Sequence, residues 1–105
     1  SRGRSPAQKR SDAAAALRRD DELIERVVLG DVDAAGRLRD RYLGTLWGAA
    51  QAILLDEHET ELVVEAVLEE ACRGWPPRRG IVKSWLTRLA RRAARARKRA
   101  LGFDA

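Results

Sequence analysis

The chain has 105 residues, 45% of them hydrophobic, with 21 Lys and Arg against 16 Asp and Glu for a net charge of +5. That size bounds it to one small domain with a modest core, and the single cysteine, Cys72, excludes an internal disulfide framework, as expected in a reducing compartment. No apolar run approaches the roughly 18 residues of a membrane span, and the polar N-terminus lacks the apolar centre of a secretory signal, so a cytoplasmic protein with no membrane insertion is expected.

In chain order, residues 1–13 form a Ser-, Arg- and Lys-rich lead with Pro6, too polar and aperiodic to fold alone and expected to be disordered. A first helix is predicted from about Ala14 to Leu29, with Leu23, Val27 and Val28 toward the core, ended by Gly30-Asp31. A second is predicted from Val32 to about Leu55. Ala35, Leu38, Tyr42, Leu46, Ala49 and Ile53 recur on one face at helical spacing, flanked by Trp47. Asp56 then caps a turn through His58. The third helix is predicted over Glu59 to Arg73, with Leu62, Val63, Val67 and Ala71 on one side and Glu61, Glu65, Glu69 and Glu70 on others.

Gly74-Trp75-Pro76-Pro77 stops that helix, because proline disfavours a helical residue before it and has no backbone donor. A short loop carrying Arg78 and Arg79 leads to a fourth helix from Ile81 to about Leu101. Its apolar positions are Val82, Trp85 with Leu86, Leu89, Ala93, Ala96 and Ala100. Nothing alternates with period two. The expected architecture is all-α: a compact four-helix domain over residues 14–102, followed by a short tail at 103–105.

Charge is partitioned along the chain. Residues 1–19 hold six bases and one acid, 20–70 hold four bases and fourteen acids, and 71–105 hold eleven bases and one acid. An acidic middle beside a basic end points to two partners of opposite sign. On the fourth helix the bases Lys83, Arg88, Arg91, Arg92, Arg95, Lys98 and Arg99 lie opposite the apolar side. A helix that docks by one side and offers a cationic stripe on the other suits the phosphates of nucleic acid. A membrane-surface helix fits less well, because beyond Leu89 the apolar side is mostly alanine and interfacial helices need bulky anchors.

Gly30-Asp31, Leu38, Arg41-Tyr42, Ile53-Leu54, Glu61 with Val63-Val64, and Trp85-Leu86-Thr87-Arg88-Leu89-Ala90-Arg91 occur in the order seen in sigma-70 region 2. Over residues 21–99 the chain resembles that family, most of all the extracytoplasmic-function type of bacterial sigma factor. The resemblance implies a domain that binds core RNA polymerase and the non-template strand of the minus-ten promoter element. It assigns polymerase contact to Arg41, Glu61, Leu62, Glu65 and Glu69. It assigns DNA contact to Trp75, Arg78, Arg79, Lys83, Ser84, Arg88, Arg91, Arg92 and Arg95, with the loop residues nearest the bases. An anti-sigma factor is a possible further partner.

Two other readings stay open. The chain departs from the family pattern at Gly36, Leu62, Glu65-Ala66, Leu68 and Arg92, which fits a sigma-derived module that holds another protein by its third helix. The arginine stripe alone fits a sequence-indifferent nucleic-acid binder. Trp75 is either a stacking platform for an unpaired base or a lid on the core. Trp47 and Trp85 are expected in the core, Tyr42 at its edge, Cys72 packed and His58 exposed. No nucleophile–base pair, phosphate-cradling glycine loop or metal cluster is legible, so neither enzymatic activity nor a cofactor is expected.

Overall fold

The computed structural model describes residues 5–74 and 80–102, and these form four helices with no strand among them. They are α1 (Pro6–Val28), α2 (Val32–Leu54), α3 (Glu57–Ala71) and α4 (Val82–Ala100). The all-α architecture expected from the periodicity is the one observed.

Three helix starts are set by short polar side chains. Ser5 accepts the Gln8 backbone N–H at 3.1 Å, Asp31 that of Ala34 at 3.0 Å and Asp56 that of Glu59 at 2.9 Å. Each satisfies a donor that the first helical turn leaves free. Asp56 therefore opens α3 directly, two residues ahead of the predicted start, and the expected turn through His58 is already helix. α1 begins at Pro6, eight residues before the predicted Ala14. Pro6 stands at the first helical position, where its missing N–H costs nothing, and the Gln8 amide donates to Asp12 one turn on. From Pro6 on, the polarity that suggested an irregular lead is that of a solvent-exposed helix end, since Pro6 to Ser11 are all exposed, while residues 1–4 of that lead and the expected tail at 103–105 lie outside the described residues.

Gly30 takes a left-handed φ of 95° to end α1, the conformation that glycine adopts without a Cβ clash. Leu55 does the same after α2 at φ 53°, with 78% of its surface exposed.

α2 packs against α1, α3 and α4, and its contact with α4 is the most extensive in the molecule. Its buried residues are Ala34, Leu38, Tyr42, Leu46, Ala50 and Leu54, an unbroken run at four-residue spacing. The predicted Ala35, Ala49 and Ile53 lie beside this line, half-buried. The centre of the buried arc is fixed by where three neighbouring helices meet, so it need not coincide with the bulkiest residues. On α1 the buried apolar residues are Ile24 and Val27, with Leu23 and Val28 half-buried.

α3 buries Val63, Val64, Val67, Leu68 and Ala71. Leu62, expected in that core, is 45% exposed. α4 buries Val82, Leu86, Ala90 and Ala94. Trp85, Leu89 and Ala93 pack against the core from its edge, as do Trp47 and Cys72. Ala96 and Ala100 are exposed because the buried line of α4 ends at Ala94, before the helix does.

Candidate nucleic-acid interface

α4 has no side-chain cap at Ile81 and is held at its start from another helix. The Gly80 backbone N–H donates to both carboxylate oxygens of Asp21 on α1, at 2.9 and 3.0 Å. Gly80 carries a φ of 80° that a side chain would strain. Asp21 is itself 7% exposed, so the N–H supplies a partner that a buried carboxylate requires. Within α4 the Thr87 hydroxyl donates to the Lys83 carbonyl at 2.8 Å and the Ser84 hydroxyl to that of Ile81 at 3.1 Å. The hydroxyl of Ser84, assigned to DNA by the resemblance, is thus turned to the helix's own first turn.

At the other end of the helix, Arg97 reaches back to α3. Its Nε and one terminal nitrogen donate to the two carboxylate oxygens of Glu59 at 2.8 and 2.9 Å. The Glu59 side chain is only 10% exposed. This forked geometry places two charge-assisted bonds on one planar pair. The guanidinium holds the Glu59 carboxyl below its ordinary range, and the carboxylate raises Arg97 in return. Arg97 was not singled out in the sequence stripe, and its inward turn has no local signature, because its partner lies 38 residues away.

The other bases face water. Lys83, Arg88, Arg91, Arg92, Arg95 and Arg99 are exposed, while Lys98 is half-buried. No acidic residue lies anywhere on α4. Arg88, Arg92, Arg95 and Arg99 follow one another at intervals of four, three and four residues, a near-straight row opposite Val82, Leu86, Ala90 and Ala94. Arg91 stands beside that row, toward α2. Trp75, Arg78 and Arg79 lie outside the described residues.

The residues assigned to polymerase contact are spread over α2 and α3. Glu61, Leu62, Glu65 and Glu69 are exposed on α3. Glu65 is already engaged: Arg39 donates to it at 2.8 Å and a second guanidinium nitrogen closes the pair. That contact lowers the Glu65 carboxyl and raises Arg39. Both side chains are near half exposed, so the pair adds little to stability. Glu69 is 3.8 Å from Arg73 one turn on.

Arg41, its side chain 41% exposed, reaches a buried acid from the surface. Its Nε lies 2.7 Å from Asp20 Oδ1 on α1, and its guanidinium sits 5.7 Å from the centre of the Tyr42 ring. The Tyr42 hydroxyl donates to the other oxygen of Asp20. Asp20 and Tyr42 are both about 3% exposed, so this triad brings a carboxylate into the core, with Oδ2 hydrogen-bonded to Tyr42 and Oδ1 held beside the Arg41 charge without a hydrogen bond of its own. Burial first, then the hydrogen bond to Asp20, pushes the Tyr42 phenol up to about 12. Tyr42 is therefore fully buried and hydrogen-bonded rather than at the core's edge, a role that no pattern in the sequence announces.

His58 is exposed, Cys72 is half-buried, and the described residues contain no group of three or more His, Cys, Asp or Glu able to hold a metal. No described helix is long and apolar enough to cross a membrane.

Comparison with protein-family models, with curated proteins and with solved structures finds no match to this chain. The site therefore stands on its own geometry.

Proposed function

We propose that this domain is a sigma region 2-like transcription-initiation module that acts in the cytoplasm. It binds core RNA polymerase and the non-template strand of a minus-ten promoter element. The observation that carries the proposal is the outer face of α4, where six exposed bases stand on one helix without an acid among them. A surface of that kind gains from release of counterions when it meets phosphates. The order of residues on the same helix, Trp85-Leu86-Thr87-Arg88-Leu89-Ala90-Arg91, supplies the link to promoter DNA by resemblance alone. Phosphate contacts from α4 would set register, and sequence would be read from the preceding loop, where Trp75, Arg78 and Arg79 lie.

A second reading, a protein-interaction module descended from such a domain, is favoured by α3. Leu62 stands exposed among the glutamates, and Glu65 is engaged by Arg39. Such a surface suits a partner other than polymerase, such as an anti-sigma factor.

Pull-down with core polymerase, paired with titration of minus-ten and scrambled single strands, separates the readings. Polymerase capture with preference for the minus-ten strand is the expected result. Capture of a different protein without polymerase supports the second reading. Equal affinity for every strand and no polymerase reduces the domain to a sequence-indifferent nucleic-acid binder.

A further inference from the structure

Between α1 and α2 lies an open hollow of about 630 Å³, well inside the size range of small-ligand sites. Four arginines line it, Arg19, Arg26, Arg37 and Arg41, together with Leu23 and Asp20. Asp20 is the informative member. It is 3% exposed, and its two oxygens are unequal. Oδ2 accepts from the Tyr42 hydroxyl, whereas Oδ1 is buried without a hydrogen bond. Arg41 brings its charge to 2.7 Å of Oδ1 but not in hydrogen-bond geometry.

A carboxylate with an empty acceptor is costly to bury, and an apolar pair in place of Asp20 and Tyr42 would fill the same space without that cost. Such a group calls for a reason. Arg41 also lines the hollow and its side chain is 41% exposed, so a swing of the guanidinium away from Oδ1 opens that oxygen to an occupant.

Charge around the hollow indicates what the occupant is. Arg26 is held by Asp31 and Arg41 by Asp20. Arg19 and Arg37 make no hydrogen bond or ion pair among the described residues, and Glu22 and Asp40 share the wall with them. Two open cations beside two acids balance, so a polyanion gains little here, unlike on α4, where no acid intervenes. A simple anion would leave Oδ1 without its donor. A simple cation would meet four guanidinium groups. Only a molecule carrying both signs suits both.

We infer that this hollow binds a zwitterionic ammonium carboxylate, an amino acid or dipeptide with an apolar side chain. Its carboxylate lies against Arg19 and Arg37 in charge-assisted contacts, its ammonium donates to Asp20 Oδ1 once Arg41 has given way, and its side chain rests on Leu23. The site goes beyond the nucleic-acid reading and shares no residue with α4.

The test is a titration of the full chain, followed by amide NMR, with L-leucine, leucyl-leucine, N-acetyl-leucine, which lacks the ammonium, and leucinamide, which lacks the carboxylate. L-leucine or leucyl-leucine is expected to shift amides around Leu23 and Arg41 with a Kd of about 1 mM or tighter, and the two blocked forms to bind at least about tenfold more weakly. A preference between the amino acid and the dipeptide supports the site and names its source. Arg19→Ala and Arg37→Ala, both exposed positions, are expected to weaken leucine binding about tenfold with little change in melting temperature. Asp20→Asn keeps an acceptor for Tyr42 and is expected to bind L-leucine and N-acetyl-leucine alike. No shift with either unblocked probe at about 10 mM overturns the inference. So does equal binding of a blocked form to the parent protein, or shifts confined to α4. None of these probes carries a phosphate, so each of those failures leaves the DNA reading of α4 standing.

Discussion

α2 and α4 are built on the same inner line and differ in everything outside it. Each buries one residue every four: Ala34 through Leu54 on α2, Val82 through Ala94 on α4. Outside that line α2 mixes acids, bases and small residues, whereas every charged residue of α4 is a base. Like charges three or four residues apart cost a helix roughly 0.2–0.5 kcal/mol per pair, and α4 stacks Arg88 on Arg92, Arg91 on Arg95 and Arg95 on Arg99. Stability asks for the inner line and is indifferent or opposed to the outer one. A face that persists against its own repulsion is best understood as a face for something else. α3 makes the point from the other side, because its acids at Glu59 and Glu65 are partly neutralised by Arg97 and Arg39, while Arg88, Arg91, Arg92, Arg95 and Arg99 of α4 meet no acid among the described residues.

The contrast breaks first at the core. Leu46 on α2 is fully buried, and Leu46→Ala is expected to lower unfolding free energy by about 2–5 kcal/mol, read from urea titration with no change in the salt dependence of strand binding. Loss of strand binding in protein that is still folded would show that the two faces are not separable.

Next in size is the Asp20–Tyr42–Arg41 triad. Tyr42→Phe strips a donor from a buried carboxylate, a loss of about 1–3 kcal/mol. Tyr42 is the only tyrosine in the chain, so phenolate absorbance reports it directly, with an expected midpoint near 12. Because the folded value lies above the unfolded one, the stabilisation is whole below the ordinary value of 10.0 and is lost as pH rises toward 12. A midpoint at the ordinary value would mean that the hydroxyl is not buried against Asp20.

The Glu59–Arg97 clamp gives a smaller effect at the acid end. The folded carboxyl titrates below its ordinary value of 4.5, so its stabilisation is present above that pH and disappears as pH falls through the lowered value. Glu59→Gln should flatten this limb of the melting temperature against pH, leaving the neutral-pH affinity for strands near the parent's. An unaltered acid limb would assign the loss of stability to other carboxylates.

The smallest stability change belongs to Arg92→Ala, expected within about 0.5 kcal/mol of the parent and tending toward a gain as repulsion falls. Its affinity for any strand should nevertheless drop, with the salt slope shallower by about 1. A clear loss of stability would give Arg92 a role in the fold that its exposure does not suggest.

The chain alone determined that there are four helices, roughly where they break and which side of α4 is charged. Those properties follow from local rules: Gly30 interrupts, Asp31 and Asp56 cap, and a period near 3.6 separates core from surface. The arginine row was legible for the same reason, since its members lie three and four residues apart on one element. The tertiary structure decided the rest. It carried the buried line of α2 through Ala34, Ala50 and Leu54 in place of Ala35, Ala49 and Ile53, exposed Leu62, paired Arg97 and Arg41 with acids on other helices and buried Tyr42 against Asp20. It also set Arg19 of α1 and Arg41 of α2 around one hollow. Each of these joins residues tens of positions apart, and such pairings depend on the angle and rotation at which helices meet. A helical period fixes which residues share a face; only packing decides what that face meets.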